Sequence, residues 1–245
     1  MRFIASLMFA CWLFGANAQN SNNIVCKLDS VYSTGLESYV HFVIYEPECR
    51  IPDGKVTPIL YIFGDVLFES FSGSINYLHN ELEWIPNCIL IGINEIPGKQ
   101  FGPYQQEYAK FISSELMDQL SARFNLNSHG VLYGHSRASR LVGKVIQENP
   151  NRINQFILSA PWFTSEQLME LENSFAEKTE MISIYYSFSK EDLEMPPIQE
   201  AKDNFTNLLK KYEYMVCSEY QYFDNETHMS TPPLSFYYGI KHLLQ

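Results

Sequence analysis

The segment Val131-Leu-Tyr-Gly-His-Ser-Arg-Ala-Ser139 decides the architecture of this chain. Its opening residues continue an apolar run from Gly130 that reads as a short strand. Directly after Ser136 the pattern changes. Ala138, Leu141, Val142, Val145 and Ile146 recur three and four apart, the apolar stripe of a helix. Strand, tight turn, Ser and helix form the context in which a Gly-x-Ser-x-Gly pattern carries chemical meaning. So sharp a turn demands small residues two before and two after the Ser. Gly134 and Ala138 fill those places, with Ala standing where Gly is usual. The turn lifts the Ser136 hydroxyl above the sheet edge. The helix behind it offers backbone N–H groups and a positive dipole end to a developing oxyanion.

A hydroxyl is a poor nucleophile without a base. Of the 6 His, His228 and His242 follow Ser136. His242 falls inside a terminal helical pattern and reads as a surface residue. His228 lies in the polar loop Asn225-Glu-Thr-His-Met-Ser230, between the last strand and the last helix. The chain order Ser, acid, His puts the base there. The acid must then follow a strand between the two. The apolar run 181–188 is such a strand, and Glu191, Asp192 and Glu194 all follow it. Glu191 and Asp192 are both placed to orient an imidazole.

Outward from this segment, strand and helix patterns alternate. Strands are expected at 40–45, 58–63, 88–93, 130–133, 155–159, 181–188 and 215–223. Helices are expected at 75–83, 105–124, 137–148, 165–176, 199–212 and 234–244. From Pro58 onward the strands are apolar throughout rather than alternating, as in a parallel sheet covered on both faces. The expectation is one α/β domain over residues 19–245, with a mostly parallel, doubly wound sheet.

The first 18 residues read as an address. Arg2, an apolar run from Phe3 to Gly15, and Ala16-Asn17-Ala18 have the layout of a secretory signal peptide cleaved after Ala18. The apolar run is short of the ~20 residues that span a bilayer. The mature chain is therefore expected to be secreted or periplasmic. Cys26, Cys49, Cys88 and Cys217 would then meet an oxidising compartment, where up to two bridges are possible. Cys26 and Cys49 flank an early hairpin-like segment and are the favoured pair. Cys88 and Cys217 sit in apolar strand patterns and read as buried thiols. No Cys-x-x-Cys or His-x-x-x-His spacing occurs, so no structural zinc site is expected. The 245 residues are 46% hydrophobic and carry a net charge of -11, which excludes a disordered chain and argues against a nucleic-acid binder.

At this point the chain resembles a known family. It is similar to the esterases of the α/β-hydrolase superfamily related to esterase D, most closely their secreted bacterial branch near the enterochelin-esterase-like enzymes. The resemblance runs from about Val40 to the C-terminus. Pro58-Ile-Leu-Tyr-Ile-Phe-Gly-Asp65 stands where the family has a strand ending in an Asp-Gly pair. Cys88-Ile-Leu-Ile-Gly-Ile-Asn94 matches its next strand. Tyr108-Ala-Lys-Phe-Ile-Ser-Ser-Glu-Leu116 matches the helix before the nucleophile strand, and Gly134-His-Ser136 the elbow. Ser159-Ala-Pro-Trp162, Thr227-His-Met-Ser-Thr231 and Tyr238-Gly-Ile-Lys241 resemble the segments that close the fold. Three features depart from the family. The elbow reads Gly-His-Ser-Arg-Ala-Ser instead of Gly-His-Ser-x-Gly-Gly. The Asp-Gly pair is reversed as Gly64-Asp65. The Asp-Arg segment after the next strand is missing.

The resemblance implies an α/β-hydrolase fold and a serine esterase acting on small-molecule carboxylic esters through an acyl-enzyme, without cofactor or metal. It implies Ser136 as nucleophile, His228 as base and Glu191 as the acid, since Ser189-Lys-Glu191 aligns with a family acidic position; Asp192 is the alternative. The oxyanion hole falls to the backbone N–H of Arg137 and one from Asp65 or Val66. Arg137 and Trp162 are candidate substrate-binding residues. Two other readings remain: a non-catalytic hydrolase-fold binding protein signalled by the altered elbow, and an acyltransferase on the same triad.

Overall fold

A computed structural model describes residues 26–47, 54–62, 67–94, 96, 102–127, 130–148 and 153–245. The expected signal peptide, Cys49, Asp65 and Val66 lie outside them. Among the described residues, eight strands form one sheet: β1 (Cys26–Ser33), β2 (Ser38–Tyr45), β3 (Thr57–Ile62), β4 (Cys88–Ile93), β5 (Gly130–His135), β6 (Ile153–Ser159), β7 (Ile182–Ser189) and β8 (Val216–Phe223). Their spatial order is β1-β2-β4-β3-β5-β6-β7-β8. The β1–β2 and β2–β4 pairs are antiparallel, and the other five are parallel. The mostly parallel, doubly wound sheet read from the strand–helix alternation is thus what forms.

Helices cover both faces. They are α1 (Phe68–Asn76), α2 (Gln105–Lys110), α3 (Met117–Ser121), α4 (Arg137–Glu148), α5 (Ser165–Glu177), α6 (Lys190–Leu193), α7 (Pro196–Lys211) and α8 (Thr231–Leu244). The expected helix at 105–124 forms as α2 and α3 joined by a π-helical stretch, Phe111–Leu116. The helix expected at 75–83 begins earlier, as α1, and runs into a π-helical turn, Tyr77–Glu81.

Two buried clusters follow from the period-2 geometry of the central strands. Tyr61 and Tyr133 face one side, where Phe71 of α1 and Phe236 of α8 stack face to face at 3.9 Å. Leu60, Leu132 and Leu158 face the other side, with Leu141 of α4, Phe175 of α5 and Phe205 of α7. Each such side chain contributes about 1.5–3 kcal/mol on burial. Every residue of β3 and β4 is buried, as their largely apolar sequence requires.

The edges behave differently. β8 is an edge strand with several exposed side chains, and Cys217 is exposed there rather than buried. Cys88 is a buried thiol, and burial pushes it up to about 12. Cys26 is an exposed free thiol on the opposite edge strand, β1, and its expected partner Cys49 falls outside the described residues. No helix among the described residues is long and apolar enough to cross a membrane.

Candidate active site

The C-terminal ends of β5, β6, β7 and β8 open on the same side, as parallel strands must. β5 ends at His135, and Ser136 follows with φ +52°, a left-handed conformation that costs a non-Gly residue energy. The elbow is held from both sides. Ser136 N–H donates to the Ser159 carbonyl at the end of β6 (2.8 Å), and Ser139 N–H donates back to the Ser136 carbonyl (3.0 Å). A Cβ on Gly134 would lie 2.6 Å from Val142 Cγ2 and 3.0 Å from the Ala138 backbone, so only Gly fits. Ala138 is buried. The other altered elbow position, Ser139, is absorbed too: its buried hydroxyl donates to the Gly134 carbonyl at 3.1 Å. The altered elbow therefore keeps its turn.

The second half of the site comes from the ends of β7 and β8. Ser189 caps the short helix α6. Its hydroxyl accepts from Asp192 N–H (3.1 Å), while Asp192 reaches back to accept from Ser189 N–H (2.9 Å) and Oγ–H (2.7 Å). This capping box turns Asp192 inward, where it is fully buried, and leaves Glu191 exposed. The remaining carboxylate oxygen, Oδ1, accepts from His228 Nδ1–H at 2.6 Å.

This corrects the preferred acid: the side chain on the imidazole is Asp192, not Glu191. Glu191 instead accepts the backbone N–H of His228 at 2.7 Å. Two adjacent carboxylates thus hold one histidine, one by its ring and one by its main chain. The signal that separates them was present in the sequence as Ser189-Lys-Glu-Asp192, a helix-cap spacing in which the third residue after the cap folds back.

The electrostatics follow the geometry. Burial pushes the Asp192 carboxyl up, but the hydrogen bonds from His228 and Ser189 outweigh it and hold it below the usual carboxylate range. The bond to Asp192 raises His228 above the ordinary imidazole value, against a smaller opposing effect of burial. With Nδ1–H committed to Asp192, neutral His228 leaves Nε2 as its basic nitrogen. Among the described residues Ser136 Oγ makes no hydrogen bond, and apo sites often tighten only when substrate arrives.

Beside His228 lies a second imidazole. His135 packs on His228 with ring centroids 4.5 Å apart and planes inclined by 42°. Sequence reasoning singled out only histidines after Ser136 and passed over this one. Trp162 is 45% exposed in the loop after β6; its carbonyl accepts from Arg140 Nε–H (3.0 Å), and the Arg140 guanidinium sits 5.2 Å from the indole. Arg137 is exposed on the first turn of α4, next to Ser136. His242 is remote from this cluster, in the last turn of α8 near Tyr185. Among the described residues no three His, Cys, Asp or Glu side chains are grouped to hold a metal ion.

No family model and no curated protein sequence matches the chain. Solved structures do. An IroE-like serine hydrolase from Shewanella oneidensis superposes with a TM-score of 0.79 at 17% identity, over 90% of this chain and 80% of that one. The siderophore hydrolase EstA from Aspergillus nidulans superposes with a TM-score of 0.75 at 12% identity, over 99% and 98% of the two chains. A CE1 ferulic acid esterase from Anaeromyces mucronatus gives 0.66 at 14% identity, over 89% of each. At these identities the likeness speaks to architecture. With the strand order and the elbow, it makes the fold of this chain the α/β-hydrolase fold.

Proposed function

We propose that the protein is a serine esterase that hydrolyses small-molecule carboxylic esters through an acyl-enzyme, with Ser136 as nucleophile, His228 as base and Asp192 as the acid. The observation that carries this reading is the Asp192–His228 bond of 2.6 Å beside a strained elbow serine. A carboxylate that accepts from Nδ1–H fixes the tautomer in which Nε2 can take a proton, which is the division of labour of a Ser-His-acid triad. The structural neighbours described as serine, siderophore and ferulic acid hydrolases support the same reaction class.

In this mechanism Ser136 Oγ attacks the ester carbonyl carbon while its proton passes to His228 Nε2. Asp192 steadies the imidazolium. The Arg137 N–H, in the first turn of α4, donates to the tetrahedral oxyanion, with a second donor expected from Asp65 or Val66. His228 returns the proton to the leaving alkoxide, and the acyl group stays on Ser136. Water, deprotonated by His228, then attacks the acyl carbon and frees Ser136. Loss of one oxyanion donor typically costs ~10²–10³ in rate. The site needs no cofactor for these steps.

Arg137 and Trp162, both exposed, are the candidate contacts for the acyl or alcohol part. The leader expected over residues 1–18 supports action outside the cytoplasm. A panel of short acyl, feruloyl and siderophore esters tests the reading. Turnover of at least one class that disappears in Ser136→Ala supports it. A folded protein that binds an ester of the panel without turning it over argues for a hydrolase-fold binding protein instead.

A further inference from the structure

His228 comes from a loop. The segment between β8 and α8 gives it no strand or helix of its own. Its bond to Asp192 fixes one atom of the ring, and the bond from its N–H to Glu191 fixes its main chain. Neither bond locks the side-chain torsions of this part-exposed ring: rotation about Cα–Cβ and Cβ–Cγ breaks the Asp192 bond and carries Nε2 away from Ser136.

One neighbouring group removes that freedom. His135 ends β5 in parallel register with Ser159 of β6, so its backbone is held by the sheet. Its Nδ1 shares a hydrogen bond of 3.0 Å with Ser159 Oγ, which sets the ring's orientation. The ring so placed lies against His228 at 4.5 Å. Its other nitrogen, Nε2, is buried and has no hydrogen-bond partner among the described residues. A polar atom left so is costly, and an apolar ring would fill the place without that cost. The geometry points to His135 as a positioning residue whose ring forms a wall against the face of His228 and keeps that imidazole in the plane from which Nε2 meets Ser136. This inference rests on the esterase reading of the same site.

The charges are consistent with the wall. The titratable groups facing the two rings are Asp192 and Glu191, both from α6, and the rings themselves. Burial first, and the neighbouring His228 second, push His135 down to about 4. The wall thus stays neutral while His228 becomes an imidazolium, so the proton needed by the leaving group is not opposed by a second cation.

The test is the rate of Ser136 labelling by a fluorophosphonate as a function of pH, measured on the full chain for wild type, His135→Phe, His135→Asn and His135→Ala, with folding of each checked by circular dichroism. Phe keeps the wall and drops the Ser159 bond; Asn keeps a polar group and drops the ring. His135→Phe is expected within about threefold of wild type, with its acid limb unmoved. His135→Asn and His135→Ala are expected to slow by up to about 10²-fold, the scale of a 1 Å misplacement. Their acid limb should shift to lower pH, because a loosened His228 loses the Asp192 bond that raises it. A merely structural residue would not move that midpoint. A folded His135→Ala with the wild-type rate and midpoint overturns the proposal and leaves the esterase reading standing. A His135→Phe as slow as His135→Ala also overturns it. A folded wild type that is not labelled at all overturns both.

Discussion

Asp192 and His228 meet side chain to side chain at 2.6 Å across 36 residues of sequence, and the carboxylate that makes the bond is fully buried. Its second oxygen is occupied by the side chain and backbone of Ser189. A carboxylate bound at both oxygens cannot swing away, so the bond fixes the tautomer of His228.

Replacing that carboxylate should therefore be far more damaging than replacing its neighbour. Asp192→Asn is expected to lower kcat on a 4-nitrophenyl ester by about 10⁴-fold, the size of the tautomer effect in a Ser-His-Asp triad. Comparing it with Glu191→Gln on the same substrate checks the assignment. Equal rates in the two variants would return the acid to an open question.

Glu191 is expected to have a smaller, separable effect. It restrains the His228 main chain from an exposed position, and a bond of that kind contributes about 1 kcal/mol. Glu191→Gln should cost about fivefold in kcat/KM, with little change in melting temperature. Steady-state kinetics beside a thermal melt would reveal it.

The pH dependence has a definite sign. His228 must be neutral to act as base, and its bond to Asp192 raises it above the ordinary value of 6.5. The acid limb of kcat/KM should therefore have its midpoint above 6.5, and Asp192→Asn should move it down. Stability runs the other way for the histidine. A raised group stabilises the fold below its unfolded value, and that contribution is lost as pH rises through the folded value. Asp192, held low, stabilises above its unfolded value of about 3.8 and loses this as pH falls. The pair stabilises most between the two ordinary values, and urea titrations from pH 3 to 9 should find this bell lost in Asp192→Asn.

The elbow can be tested by volume. Gly134→Ala drives a methyl group to 2.6 Å from Val142 and 3.0 Å from the Ala138 backbone. Overpacking at so rigid a place should destabilise by about 1–3 kcal/mol and misplace Ser136. Chemical denaturation and ester turnover should both fall. A variant with wild-type stability would mean that α4 retreats without cost.

Much of this was legible in the sequence, and the reasons are local. The elbow declares itself because its strand, its small residues and its helical stripe are contiguous over sixteen residues. The central strands are readable because burial on both faces leaves them uniformly apolar. What escaped had other causes. β1 is an edge strand whose mixed side chains show only a hairpin-like outline, so it was not read as a strand. Cys217 looked buried from its apolar neighbours, but an edge strand exposes one flank. Asp192 lost to Glu191 because strand-end position alone cannot separate adjacent acids; the cap formed by Ser189 does. His135 could not be ranked at all, since its meaning lies in a contact with a residue far along the chain.

The central claim is that Ser136 is an activated nucleophile. The most direct measurement is covalent labelling of the folded wild-type protein by a fluorophosphonate, with the modified residue identified by peptide mass spectrometry. The account predicts a single adduct on Ser136, absent from Ser136→Ala and from heat-unfolded protein. A folded wild type that takes up no label, or a Ser136→Ala variant that labels as readily, would contradict it.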